Sequence, residues 1–216
     1  MCGFAVFLDP SNGLEPRYRN ADPWLKLLSH RGPDAQRCYQ DEVAALHFAR
    51  LAILDLSETG MQPMHSRCGR YVMVFNGEIA NFKELTKSYS LCLQGHSDSE
   101  VLLELYRLQG ESVFPLLRGM FAFVIYDKQQ RSAVAVRDPF GIKPLYYAQQ
   151  KDTLLVASEM KPLLAALGGS AIDETHVIRF LMRGEVDAGE GTFYTRIKQL
   201  PPGKTLSWKG KSLQVH

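Results

Sequence analysis

The second residue is a cysteine, in Met1-Cys2-Gly3-Phe4-Ala5-Val6-Phe7. Removal of Met1, which a small second side chain permits, would leave a thiol and a free α-amine on one residue. The thiolate is a strong nucleophile, and the amine, with a reference pKa of about 7.7–8.0, titrates near working pH. Cys2 would then carry both nucleophile and base, the counterpart of an N-terminal threonine. The same residue could also merely begin a buried strand. Asn76-Gly77, after the apolar run Tyr71 to Phe75, is a second pair with chemical content. A strand ending there sets a side-chain amide beside an exposed backbone N–H. Donors aimed at an oxyanion in this way are each worth roughly 2.7–4 kcal/mol when removed. Asn-Gly is equally the pair best suited to a plain hairpin turn. Arg50 lies in the apolar stretch Val43 to Leu54, where an unpaired guanidinium is costly. Its planar fork suits a carboxylate, whether of a ligand or of a structural salt bridge.

Short strand-like runs would position these groups. Gly3 to Leu8, Val43 to Leu54 (one or two strands around Ala49-Arg50) and Tyr71 to Phe75 are apolar, the last stopped by Asn76-Gly77. Phe121 to Tyr126, Ala133 to Arg137, Pro144 to Ala148 and Thr153 to Ala157 follow closely, a spacing that favours antiparallel pairing over βαβ units. Helices are expected over Ala80 to Tyr89, Glu111 to Leu117, Glu159 to Leu167 and Asp173 to Met182. Another starts at Ser97-Asp98-Ser99-Glu100, a capping box in which Glu100 reaches back to the Ser97 backbone. Strands in two groups with helices between and after them fit a layered α+β fold.

Composition narrows the function classes. The chain has 216 residues, 45% hydrophobic and 22% charged, with a net charge of +2. That suits one large domain or two small ones and is too weakly basic to argue for nucleic acid or a membrane surface. No apolar run approaches the roughly 20 residues of a membrane span. Met1-Cys2-Gly3 lacks the basic and apolar stretch of a lipoprotein signal. Cys2, Cys38, Cys68 and Cys92 are widely and irregularly spaced, which predicts reduced thiols and a cytoplasmic protein. The six histidines have no metal-ligand spacing, so no metal is expected.

Taken in order, the motifs form a pattern. They are Met1-Cys2-Gly3-Phe4-Ala5, His30-Arg31-Gly32-Pro33-Asp34, His47 to Leu56, Gln62-Pro63-Met64, Phe75-Asn76-Gly77-Glu78-Ile79, Ser97 to Glu100, Arg137 to Tyr147, Ala157 to Lys161 and Leu200 to Gly203. Together they resemble the N-terminal glutaminase domain of glutamine-dependent asparagine synthetases, class II amidotransferases of the Ntn-hydrolase superfamily. The resemblance implies a four-layer αββα sandwich of two antiparallel sheets flanked by helices. It implies that Cys2 attacks the side-chain amide of L-glutamine, with Asn76 and the Gly77 N–H as oxyanion donors. Arg50 would hold the α-carboxylate, Glu78 and Asp98 the α-ammonium, and backbone of Leu51, Ile53 and Leu54 would line the pocket. His30 to Asp34 looks like the loop that closes over glutamine in relatives, or a plain turn. Arg137 to Gly141 is expected to be structural.

Residues 1–216 would be one type 2 glutamine amidotransferase domain with no cofactor of its own. ATP and Mg²⁺ would belong to a synthetase domain or a separate partner that accepts the ammonia. The Ser-Gly-Gly-Leu-Asp-Ser-type phosphate loop of such a domain does not occur here. Ala80 stands where many relatives carry Tyr. A homodimer is an open alternative for the assembly. A catalytically silent glutamine-binding or structural module is the rival reading, and retention of Cys2, Arg50, Asn76, Gly77, Glu78 and Asp98 together argues against it. An acylase acting on another amide fits the paired carboxylates less well.

Overall fold

The computed structural model describes residues 1–9, 13–53, 55–186 and 189–216. Its layering is visible in one strand. β1 (Gly3–Leu8) is buried at all six positions. Phe4, Val6 and Leu8 join one apolar cluster, whereas Ala5 and Phe7 join another. Side chains alternate across a strand, so a strand apolar at every position needs a layer on each face.

The chain continues through α1 (Pro16–Arg19), α2 (Ala21–Leu28), β2 (Ala35–Gln40), β3 (Ala44–Arg50), β4 (Met64–His65), β5 (Tyr71–Ile79), α3 (Phe82–Ser88) and α4 (Asp98–Gln109). It closes with β6 (Gly119–Asp127), β7 (Ser132–Arg137), β8 (Tyr146–Gln150), β9 (Thr153–Ala157), α5 (Met160–Leu167), α6 (Glu174–Arg183), β10 (Lys198–Gln199), β11 (Thr205–Lys209) and β12 (Ser212–Val215). One sheet has the order β10-β8-β9-β1-β3-β2, the other β12-β11-β7-β6-β5-β4. Every pairing among them is antiparallel. The inner faces meet through Phe4, Phe48, Val74, Val124 and Trp208. Outside the first sheet, Phe7 and the small Ala45, Ala49 and Ala157 accept Trp24 and Leu28 of α2 and Leu163 of α5. Outside the second, Phe75, Phe121 and Phe123 pack on Val101, Leu102 and Leu105 of α4. The architecture is the αββα sandwich.

The main departure from the sequence reading is at Asn76-Gly77. The strand does not stop there. β5 runs on to Ile79, paired Asn76 to Ala122, Gly77 to Phe121 and Ile79 to Gly119. Gly77 has φ +152, and a Cβ there would lie 2.1 Å from the Met120 carbonyl oxygen. Gly119 has φ +155 and the matching approach to the Glu78 oxygen, also 2.1 Å. Two glycines therefore let the strands draw together where a turn was expected.

Other boundaries shift less. β3 ends at Arg50, so the strand expected as far as Leu54 stops four residues early; Leu54 itself lies outside the described residues. The helix expected from Ala80 begins at Phe82, and Gly110–Leu116 is a 3₁₀ helix. Ser97 does cap α4, accepting the Glu100 N–H at 3.2 Å. Glu100 does not reach back to Ser97. Its carboxylate instead takes the N–H groups of Gln94 and Gly95 at 2.7 and 2.8 Å. The helices α1 and α2 and the strands β2, β4, β10, β11 and β12 were not read from sequence; β2, for one, has four of its six residues exposed.

Candidate active site

Cys2 directly precedes β1, and Gly3 pairs with Ala49 of β3, which sets Cys2 beside the end of β3. Its sulfur meets both main-chain groups of Leu51: the Leu51 N–H donates to Sγ at 3.4 Å, and Sγ–H donates to the Leu51 oxygen at 3.5 Å. Arg31 Nε donates to the Cys2 carbonyl at 2.9 Å, and its Nη1 meets Glu159 at 3.0 Å, as does His30 Nε2 at 2.8 Å. A Cβ on Gly32 would fall 2.1 Å from the Ala49 carbonyl carbon. The His30 to Asp34 segment is thus packed hard against the backbone that carries Cys2 and Arg50. Burial pushes the Cys2 thiol up, against the opposing pull of the Leu51 N–H, the chain's amino terminus, Arg50 and Arg31. A thiol held neutral needs a base before it can attack.

Facing Cys2 from the other sheet is Asn76, only 1% exposed. Its Nδ2 is buried without a hydrogen-bond partner. An orphaned buried donor is costly and calls for a reason; here it sits in the wall of the cleft that Cys2 also lines. Gln62 fixes the strand behind it, its Oε1 accepting the Phe75 N–H at 2.6 Å where β4 no longer runs alongside β5. On the far side Asp138, fully buried, accepts the Phe121 N–H at 3.2 Å. Asp138 also gathers the N–H groups of Phe140, Ile142 and Lys143, and Arg137 donates to the Gly141 and Lys143 oxygens. That is the structural role expected of Arg137 to Gly141.

Arg50 is 6% exposed. Among the described residues no carboxylate lies within ion-pair distance of it. Its Nη1 donates to the Ser57 oxygen at 3.0 Å and its Nη2 to the Asp55 oxygen. Main-chain carbonyls orient the guanidinium and leave its charge uncompensated at the cleft wall. Opposite in sign stand Glu78 and Asp98. Asp98 accepts the N–H groups of Ile79 (2.8 Å) and Ser99 (2.9 Å) at the start of α4. Burial pushes its carboxyl up to about 6, against those two bonds and with help from the Glu78 charge.

One cleft, with an empty volume of about 620 Å³, is lined by Cys2, Arg50, Leu51, Ile53, Asn76, Gly77, Glu78 and Asp98. The expected Leu54 falls outside the described residues. Asp55, Gly60, Gln62 and Lys143 also line the cleft, and Arg31 backs it, though none was singled out as a site residue from sequence. Asp55, Gln62 and Lys143 sit within the motifs given above, and Gly60 resembles an ordinary loop residue. Met1 also lies at the cleft, its sulfur 3.5 Å from Lys143 Nζ. Among the described residues no group of His, Cys, Asp and Glu could hold a metal ion, and no helix is long and apolar enough to cross a membrane.

A family model described as a glutamine amidotransferase domain matches residues 1–216. Over 218 residues the chain is 38% identical to glutamine-hydrolyzing asparagine synthetase 1 of Bacillus subtilis (strain 168), covering 96% of this chain and 33% of that protein. It is 38% identical over 168 residues to asparagine synthetase B of Escherichia coli (strain K12), covering 76% and 30%. The amidase chry2 of Gibberella zeae is 33% identical over 221 residues, covering 95% and 32%. The chain thus spans about a third of the length of these curated relatives. Among solved structures, the glutamine phosphoribosylpyrophosphate amidotransferase of B. subtilis, complexed with ADP and GMP, superimposes with a TM-score of 0.68. That likeness covers all of this chain and 49% of the other at 18% identity, and it is one of fold.

Proposed function

This chain belongs to the glutamine amidotransferase domain family, and we propose that it hydrolyses the side-chain amide of L-glutamine to glutamate and ammonia through a thioester on Cys2. The observation that carries the reading is the partnerless, fully buried Asn76 Nδ2 in the same cleft as Cys2. A buried donor that no protein group satisfies is what a tetrahedral oxyanion would fill.

The geometry supports the following steps. Loss of Met1 frees the Cys2 amine and clears the cleft beside Lys143. The amine takes the proton from the burial-raised thiol, directly or through a water, and Sγ attacks the glutamine side-chain carbonyl. Asn76 Nδ2 and the Gly77 N–H receive the oxyanion. Collapse breaks the C–N bond, the amine returns its proton to the leaving group, and ammonia departs. Water then attacks the thioester and releases glutamate and the thiol. Arg50 takes the α-carboxylate, and Glu78 and Asp98 the α-ammonium. Backbone around Leu51 and Ile53 completes the wall.

The ammonia would serve an asparagine-synthetase-like amidation by a synthetase domain or partner that holds the ATP and Mg²⁺. Residues 1–216 are read as one such glutaminase domain. Four free cysteines suit a cytoplasmic setting. The test joins intact mass with glutamate release from glutamine, against a Cys2→Ala control. Loss of Met1 with Cys2-dependent release is expected. A processed chain that releases no glutamate, even with its ammonia-using partner present, would sink the hydrolytic reading in favour of a silent module.

A further inference from the structure

Residues 55–60, between Arg50 and Gln62, are exposed or half-buried, yet they are tied together more tightly than their position requires. Asp55 is the knot. Its Oδ1 accepts the Ser57 N–H at 2.8 Å and the Ser57 hydroxyl at 2.6 Å. Its Oδ2 accepts the Thr59 hydroxyl at 3.0 Å and lies 3.5 Å from the His96 N–H. The main-chain oxygens of Asp55 and Ser57 are the two acceptors that hold the Arg50 guanidinium. The same residue therefore orders the loop with its side chain and grips the arginine with its backbone.

Packing reinforces the arrangement. A Cβ on Gly60 would fall 2.8 Å from Arg50 Nη2 and 3.0 Å from Asp55 Cβ. A Cβ on Gly95 would fall 2.5 Å from Thr59 Oγ1. Both glycines are needed for the loop to close down on Arg50 and on the segment before α4. The hydroxyl and N–H donors also hold the Asp55 carboxyl down at about 2, so it stays ionised through the working range.

We propose that Asp55 is a positioning residue for substrate selection, acting through Arg50. It folds the 55–59 loop so that the Asp55 and Ser57 carbonyls aim the guanidinium at the α-carboxylate of the bound amino acid. Carbonyls cannot neutralise the arginine, so the charge stays available to a ligand. A carboxylate partner in their place would orient Arg50 equally well and cancel it. Specificity for a free α-carboxylate is thereby set by a residue whose own carboxylate is turned away, into the loop. The proposal rests on the reading of Arg50 as the carboxylate ligand of glutamine.

The experiment compares two substrates on the processed chain: L-glutamine, and 4-aminobutanamide, which is glutamine without its α-carboxylate. Both release ammonia from the same side-chain amide. The quantity read is the ratio of their kcat/KM values. Asp55→Ala should lower that ratio roughly tenfold, through a higher KM for glutamine, while the smaller amide is little affected. Thr59→Val removes one donor to Asp55, leaves the backbone intact and should lower the ratio in the same direction by less. Arg50→Lys tests the underlying reading. If Arg50→Lys lowers the ratio but Asp55→Ala and Thr59→Val cut both substrates equally, Asp55 is only a structural residue and the proposal fails alone. If Arg50→Lys leaves the ratio unchanged, the carboxylate reading of Arg50 fails and takes the proposal with it. In the Arg50→Lys background, Asp55→Ala should add little, because the two act as a unit.

Discussion

The two walls of the cleft are built by different means. The wall that faces the reacting carbonyl is sheet: Asn76 and Gly77 sit mid-strand, paired to Ala122 and Phe121, and braced by Gln62 and Asp138. The wall that faces the α-carboxylate is loop: Arg50 ends a strand and is held by carbonyls of Asp55 and Ser57, themselves ordered by exposed side-chain bonds. Sheet backbone is fixed by cooperative pairing, so it suits donors that must not move as charge develops. A side-chain-tied loop is cheaper to alter and can open locally. Chemistry is thus assigned to the rigid wall and recognition to the adjustable one. Damage to the first should appear in kcat and in folding, and damage to the second in KM.

Gly77→Ala offers the largest effect. The new Cβ meets main-chain oxygen at 2.1 Å in a φ region that L-residues avoid, and backbone cannot swing aside as a side chain can. The expected result is no detectable glutamate release and a loss of stability on the order of 3 kcal/mol, read by denaturant unfolding. Gly119→Ala sharpens the comparison, because Gly119 has the same clash but offers nothing to substrate in this reading. It should cost similar stability and relax the same strand pair. A Gly119→Ala protein as stable as the parent would mean that the sheet wall is not rigid in the sense argued.

Asn76→Ala separates chemistry from folding on that wall. Nδ2 bonds nothing in the resting protein, so its loss leaves no protein donor or acceptor stranded. kcat should fall roughly 10²–10³-fold, with KM and the unfolding midpoint little changed. An unaltered kcat would remove Asn76 from the oxyanion site and leave its buried amide without explanation.

Much of this contrast was legible in the sequence, though unevenly. The apolar run from Gly3 to Leu8 marked a strand, and the order of motifs, through the resemblance, named the layers. Cys2, Arg50 and Asn76 could be read from their residue types and settings, whereas Glu78 and Asp98 came only from the resemblance, because acids beside a turn or at a helix start are ordinary there. Gly77 was misread as a turn because local pattern cannot tell a φ-positive glycine in a turn from one in a pinched strand pair. The strand that decides it, β6, starts at Gly119, 42 residues away by sequence number. Asp55 was passed over for a related reason: an acid beside Ser and Thr is the usual composition of a loop, and its purpose is set by where its carbonyl points. The half-formed capping box shows the same limit, since Glu100 found better donors at Gln94 and Gly95.

On the recognition wall Arg50→Lys should raise KM for glutamine roughly tenfold, with kcat at saturation reduced far less, since an ammonium keeps the charge and loses the fork. Steady-state glutamate release gives both constants. A fall in kcat with KM unchanged would move Arg50 from recognition to chemistry and erase the contrast between the walls.

The smallest effect at working pH is a pH limb from Asp98, which is buried at the start of α4 and accepts the Ile79 N–H of β5. Only the ionised carboxylate can hold the substrate ammonium, and burial pushes Asp98 up to about 6. The value of kcat/KM reports the free enzyme, so below about pH 6 Asp98 should steepen, by about tenfold per unit, the fall already set by protonation of the Cys2 amine. In the complex the bound ammonium favours the ionised form, so the matching limb in kcat should lie at lower pH. Acid unfolding would produce a false limb, but linkage gives this group the opposite sign. A carboxyl raised above its unfolded value of 3.8 takes up a proton more readily when folded. Its contribution to stability is therefore present below the unfolded value and is lost as pH rises through about 6. Between roughly pH 6 and 4, substrate capture should weaken while this contribution to the fold grows. Unfolding midpoints taken in the same buffers separate the two. An acid limb in kcat/KM that tracks a falling midpoint, or one that persists unchanged in Asp98→Asn, would show that Asp98 does not hold the amino group.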